Sequence, residues 1–513
     1  VSDAHVGLEE LAAEFGPVEL HGHFALGREL PVTPPDGWDV HRMEGWLLTA
    51  HPTLPITDIV DAAGSPVGWI VGHPIDVEAR RLVGGVRETP LQVPAERASS
   101  RFAERFEDWV YALGGRYVAI ALHPSPRVMQ DACGTFAVLY SPELEAAASS
   151  PFLLPNRSGR FPESDVVPVL DVHRTHREYF FGTTPLVHAS QLLANHALDL
   201  LTWEPVRIWP RGPFDEDDLA TLSETVAATS EAIVAAAVSA GDARMGLTAG
   251  GDTRVILACA RPVATEIDFF TVAFEDGLGV TDLRWAPVLA GRFGLRHRAV
   301  PWQEASDRDV RLWLYHTGSM SGESRGRYAG ATYRAIGGPG PFLSGMNGGM
   351  MHGGYWKRLY RDRRALQPER LVTRAVWSPP DPRFVSFAER WLEEVPRLSA
   401  ANTIALWMME IWDTCWGSSQ SAAFAHLRPV NVHPLTHRAV VDACLRTSEP
   451  DRLSDALRRG TIAARWPELL DIPFNKPPTR VAIQRSVSRT ARKARAGARK
   501  ATRYGRGLLP GSS

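Results

Sequence analysis

A short apolar run, ARMGL, passes into Thr248-Ala249-Gly250-Gly251-Asp252-Thr253 and then at once into the helix-forming RVILACA. Strand, glycine turn and helix in such close succession leave few folds open. The flanking segments narrow them further. DEDDLATLSETVAATSEAIVAAAVSAGD precedes the run, with acids suited to a helix N-terminus and an apolar face of Leu219, Leu222, Val226, Ile233 and Val234. IDFFTVAF follows as a second apolar strand, and TDLRWAPVLAGRFG follows that as a helix stopping at Gly294. Strands alternating with helices predict a parallel α/β sheet.

The turn itself suits an anion. Backbone N–H groups at a strand-to-helix turn point outward, and the helix dipole favours negative charge there. Gly250 and Gly251 allow close approach, Thr248 and Thr253 add hydroxyls, and Asp252 is a candidate magnesium ligand. The loop lacks the GK[ST] of a Walker A motif and is not GxGxxG. Two readings stand on these residues alone: a phosphate cradle, or a plain turn capped by Asp252.

Residues 1–212 read differently. GRYVAIALH, RVMQDA and TFAVLYS predict three consecutive antiparallel strands, separated by HPSP and Gly134. VGWIVGHPID predicts another strand, and RFAERFEDWVYALGG a helix ended by Gly114 and Gly115. The first residues read as a helix with early acids, not as a signal peptide, and no apolar run is long enough to cross a membrane. The four cysteines are scattered, which fits a reducing cytoplasm. From Arg480 onward there are ten Lys or Arg and no acid, so the rest carries −12 against an overall −2. That distribution argues against body-wide nucleic-acid affinity. The tail reads as solvated, with contact to an anionic surface as the sharper alternative. His21 and His23, His173 and His176 read as ordinary histidines, and the tryptophan-rich run from Trp407 to Trp416 as core.

TAGGDT resembles the SGGxDS pyrophosphate loop of the asparagine synthetase family, with Thr248 and Thr253 in the serine places. The likeness continues in order. Asp282 stands like the acid ahead of the family's second helix, and PFLSGMNGGMMHGGYW is similar to its second nucleotide loop, with Gly345 in place. AHLRPVNVHPLTHRAVVDACL resembles the late RxPFLD segment, and LLANHALDLLTWEPVRIWP the inter-domain segment of the surface-polysaccharide branch. GGRYVAIAL and DACGTFAVLYS resemble glutaminase strands. β-Lactam synthetases and lasso-peptide cyclases are relatives of the same family.

The resemblance implies an α+β sandwich of N-terminal-nucleophile type over 1–212. It implies an α/β parallel-sheet ATP-pyrophosphatase domain, adenine nucleotide hydrolase-like, over 213–478, with a basic tail over 479–513. It implies ATP held by Leu247, Thr248, Gly250, Gly251, Asp252, Thr253 and Gly345, magnesium on Asp252, and Lys476 as the late catalytic lysine. The expected reaction joins a small-molecule or peptide carboxylate to an amine, in a chain that pairs as a homodimer. Two departures qualify it. No cysteine precedes Cys133, so thiol-based glutamine hydrolysis lacks a nucleophile, and Ser2 precedes a helix rather than opening a strand. Gly349 and Met350 stand where the family places a metal-binding Asp–Glu pair. The alternative expectation is therefore a non-catalytic nucleotide- or partner-binding scaffold.

Overall fold

The computed structural model describes residues 6–84, 89–172, 177–274, 277–354, 365–376 and 380–475. His173, His176, Lys476, Ser2 and the basic tail lie outside the described residues.

In the first half two sheets face each other. Phe24–Gly27, Asp39–Met43, Trp46–Ala50, Leu139–Ser141, Ala146–Ala148 and Ser190–Gln191 make a 6-stranded antiparallel sheet. Pro66–Asp76, Leu113–Ala121, Arg127–Gln130 and His196–Asp199 form the centre of an 8-stranded sheet. Alternation along a strand decides what each face buries. Val118 and Ile120 join Trp69, Phe24 and Leu48 between the sheets. Tyr117 and Ala119 point the other way, onto Phe102, Phe106 and Val110 of the helix Phe102–Ala112. An early helix, Leu8–Phe15, precedes the first strand as expected.

Two expectations need correction. TFAVLYS is a strand only at Leu139–Ser141, and it pairs in the opposite sheet. The cause is a tight turn at Asp131, whose carboxylate accepts the N–H groups of Cys133 and Thr135 and the Thr135 hydroxyl. That turn redirects the chain before a third hairpin strand can pair. Gly114 and Gly115 do not stop the helix; they belong to the strand Leu113–Ala121. Gly115 is needed there because its φ is +87° and a Cβ would lie 2.2 Å from the carbonyl oxygen of His73.

The second half contains a parallel sheet of five strands: β1 (Arg244–Gly246), β2 (Asp268–Ala273), β3 (His297–Pro301), β4 (Gly340–Leu343) and β5 (Pro429–Val432). Their order is β3-β2-β1-β4-β5, and every pairing is parallel. Helices α1 (Leu219–Ser239), α2 (Gly251–Cys259), α3 (Gly277–Phe293) and α4 (Ala456–Arg465) complete what positions the site. Asp218 caps α1, accepting the N–H of Thr221 at 3.0 Å. The strand–helix alternation through α3 follows the sequence reading; β3, β4 and β5 carried no prior expectation. No helix among the described residues is long and apolar enough to cross a membrane.

The halves share a polar lock. Ala400–Met408 and Thr414–Ala422 run on through a π-helical turn, Met409–Asp413. That turn aims the fully buried Glu410 back at the first half. Arg207 grips it with two bonds of 2.7 and 2.9 Å, and Asn195 and Trp391 each donate at 2.7 Å. Arg438 donates to the Asn195 amide oxygen at 2.7 Å and lies over the Trp209 ring at 3.8 Å.

Candidate functional site

Strand β1 is where the sheet order reverses: β2 continues to one side and β4 lies on the other. In open parallel sheets the crevice outside the carboxyl ends of the strands at this point is where ligands bind. Two glycine-rich loops meet there. One joins β1 to α2; the other follows β4. A Cβ on Gly348 would lie 2.4 Å from the Asp252 carboxyl carbon, and one on Gly345 would lie 3.2 Å from the Asp252 Cβ. The second loop therefore packs directly onto Asp252, and its glycines are what allow this. Gly348→Ala is expected to cost about 1–3 kcal/mol, because the neighbouring Asp252 side chain is held by Arg458 and yields little. A thermal melt checks this; an unchanged midpoint would show that the loops can part freely.

The first loop is ordered by its own side chains. The Thr248 and Thr253 hydroxyls lie 2.6 Å apart, and the Thr248 hydroxyl accepts the N–H of Gly250 at 3.0 Å. Asp282 accepts the N–H of Ala249 at 2.8 Å. Leu247 is tied to the sheet. Its N–H donates to the Phe270 carbonyl at 2.7 Å, and its carbonyl accepts the Thr271 hydroxyl at 2.6 Å. Both of its backbone groups are engaged by β2, so Leu247 anchors the loop to the sheet. The groups placed to meet an anion are the first-turn N–H groups of α2, at Gly251, Asp252 and Thr253, which precede any intrahelical acceptor.

Asp252 is not left to a metal. The Arg458 guanidinium, from α4, donates to its Oδ1 at 2.8 Å and to Asp455 Oδ2 at 2.8 Å. Arg458 lies against Gly251, where a Cβ would fall 2.3 Å from Cζ. Met350 is fully buried in the core and Gly349 offers no side chain. Among the described residues no group of three or more His, Cys, Asp or Glu side chains is arranged to hold a metal ion. The residues present do not fit the expected magnesium: a fixed cation already lies between Asp252 and Asp455, and the Asp282 carboxylate is turned to the Ala249 N–H. Burial, then Arg458, lower the pKa of His352 against the opposing pull of Asp252 and Asp455.

Sequence reasoning missed Arg458 and Asp455. Their segment, SDALRRG, reads as an ordinary charged helix start, and nothing local ties it to a loop some 200 residues earlier in the chain. The pair is held locally by the spacing Asp455 to Arg458 and by Asp455 in the left-handed region at φ 68°. Lys476 lies outside the described residues, but Asn475 donates its N–H to the Ala249 carbonyl at 2.9 Å. The chain immediately before Lys476 thus docks on the loop.

A cavity of about 120 Å³ lies beyond the second loop, lined by Ser344, Met346, Phe342, Trp416, Asn431 and His433, among others. Its walls are mainly apolar, with polar groups from the ends of β4 and β5. His433 accepts or donates at both ring nitrogens, 2.7 Å from the Ser344 hydroxyl and 3.3 Å from Ser421.

In the first half, Cys133 is no nucleophile. It is buried, desolvation pushes its thiol pKa well up, and its Sγ faces the Thr436 carbonyl at 3.5 Å. No protein-family model matches this chain, and no curated protein matches it.

Proposed function

We propose that the second half binds ATP at Ala249–Thr253 and forms an amide by way of an acyl-adenylate, in the manner of the asparagine synthetase family. The observation that carries this reading is the meeting of both glycine-rich loops at the carboxyl end of β1 and β4, where the strand order reverses. A substrate carboxylate oxygen attacks the α-phosphorus, the bond to the departing pyrophosphate breaks, and an acyl-adenylate remains. An amine nitrogen then attacks the acyl carbon, AMP leaves, and the amine proton passes to solvent. The first-turn N–H groups of α2 and the Thr253 hydroxyl hold the leaving pyrophosphate. The docking of Asn475 on the loop supports a role for Lys476 beside the reacting acyl group. The cavity beyond the second loop suits a small, largely apolar substrate portion.

The first half is proposed to be a glutaminase-like sandwich without its nucleophile, so the amine comes from the substrate or from free ammonia. Its two facing sheets and the burial of Cys133 support this. A second reading, a nucleotide-binding scaffold without turnover, is favoured by the engagement of Asp252 by Arg458 and by Met350 in the core.

Thr253→Val tests the site. It keeps the side-chain volume and removes the hydroxyl that meets Thr248. ATP binding by calorimetry is expected to weaken roughly tenfold, the loss of one hydrogen bond to a charged group. Equal ATP affinity in parent and variant would move the phosphates away from this loop. Carboxylate-dependent pyrophosphate release separates ligase from scaffold.

A further inference from the structure

We infer that Arg458 takes the place of a metal ion at this site, so that polyphosphate is bound here by the chain's own cations and without magnesium. The inference rests on the proposed phosphate site and adds what neutralises it.

The geometry is specific. Arg458 is 8% exposed and lies against Gly251 at the start of α2. One terminal nitrogen meets Asp252 and the other meets Asp455, each at 2.8 Å. Each terminal nitrogen of a guanidinium carries two hydrogens, so each keeps one donor beyond these bonds. A planar fork so placed can face phosphate oxygens while remaining paired to the carboxylates. A divalent ion on Asp252 would have to displace Arg458 from a part-buried pair, and would find Gly349 and Met350 where further anionic oxygens are needed.

The surroundings favour an anion as well. Arg254, Arg458 and Arg459 all lie round the Phe474 ring, at 4.7, 5.8 and 5.2 Å from its centre. These three cations stand against Asp252, Asp455 and the Asp282 carboxylate that holds the Ala249 N–H, so the charges beside the N-terminus of α2 balance without a metal ion. Arg254 is 1% exposed, with Nε and Nη2 buried and without hydrogen-bond partners among the described residues; its Nη1 donates to the Ile472 carbonyl at 2.5 Å. Cationic charge buried this way is costly unless something anionic compensates it.

The test is calorimetric titration of the full chain with ATP, and separately with inorganic pyrophosphate, in EDTA and in excess magnesium. The parent is expected to bind within about threefold equally in both conditions. Arg458→Gln is expected to weaken binding in EDTA by at least roughly tenfold, and to recover part of it when magnesium is added, because Asp252 is then released. Arg458→Lys keeps the charge but loses the fork. It is expected to fall between the two and serves if the Gln variant does not fold. Parent binding that requires magnesium would overturn the inference while leaving the phosphate site standing. No binding by the folded parent in either condition would remove the phosphate site and the inference together.

Discussion

Replacing Glu410 with alanine is expected to cost about 3–5 kcal/mol of folding stability, the usual penalty for leaving a buried charge without its partner. The Glu410 side chain is 0% and that of Arg207 8% exposed. Burial alone would raise the Glu410 pKa, but the charge of Arg207 and its two bonds outweigh this and hold it below the ordinary carboxylate range. Truncation also strands the Trp391 indole and the Asn195 amide, both of which donate to Glu410. Urea unfolding of parent and variant measures the loss. The double variant Arg207→Leu with Glu410→Leu is expected to recover much of it, since a buried pair replaced by apolar groups is often neutral. A loss below about 1 kcal/mol in the single variant would place the pair among weak surface bridges.

Acidification from pH 7 to pH 4 is expected to unfold the protein. His23 and His51 are driven down to about 4, and His433 to about 3, by burial first; Arg116 adds to this for His23 and His433, and His21 and Arg428 for His51. The unfolded chain titrates near 6.5. Between 6.5 and 4 the unfolded state therefore binds more protons, and stability falls as pH falls. Each such histidine contributes about 1.4 kcal/mol per pH unit across that window. Three acting together exceed a typical domain's stability within about two to three units. Glu178 works the other way. Burial raises it to about 7 against the pull of Arg325 and Ser321, so it favours the folded state at low pH and offsets one histidine. His316 stacks on His426 at 4.6 Å and adds to the acid sensitivity, its pKa held well below the ordinary histidine value by burial. Melting temperature followed from pH 7 to 4 checks the sum. A flat profile would mean that these rings take up protons without leaving their places.

Local pattern made much of the second half legible. α1, β1, α2, β2 and α3 each carry their own signal: apolar periodicity, a capping acid or a closing glycine. The parallel pairing followed from their alternation. β3, β4 and β5 are short and flanked by long helical stretches, so nothing within them marked them as strands. The pyrophosphate-like loop was visible because glycines and hydroxyls cluster there in sequence. Its ionic partner was not, because Arg458 reaches Asp252 only through folding. Leu247, just past the end of β1, is tied to β2 by its backbone bonds to Phe270 and Thr271, pairings that no local pattern announces. TFAVLYS has the composition of a strand, but Asp131 decides which sheet receives it.

The π-helical turn at Met409–Asp413 has a consequence for the first half as a whole. One extra residue in the helical winding is what brings a carboxylate to bear on Arg207 and Asn195, so the second half carries a charge whose paired cation, Arg207, lies in the first half. Cut the chain near residue 212, and the second fragment inherits an acid with no base. Such a fragment would be insoluble or would re-form its helix without the bulge. The first half thus serves the second as its counter-ion, and the two halves are expected to melt in a single step rather than as separable modules.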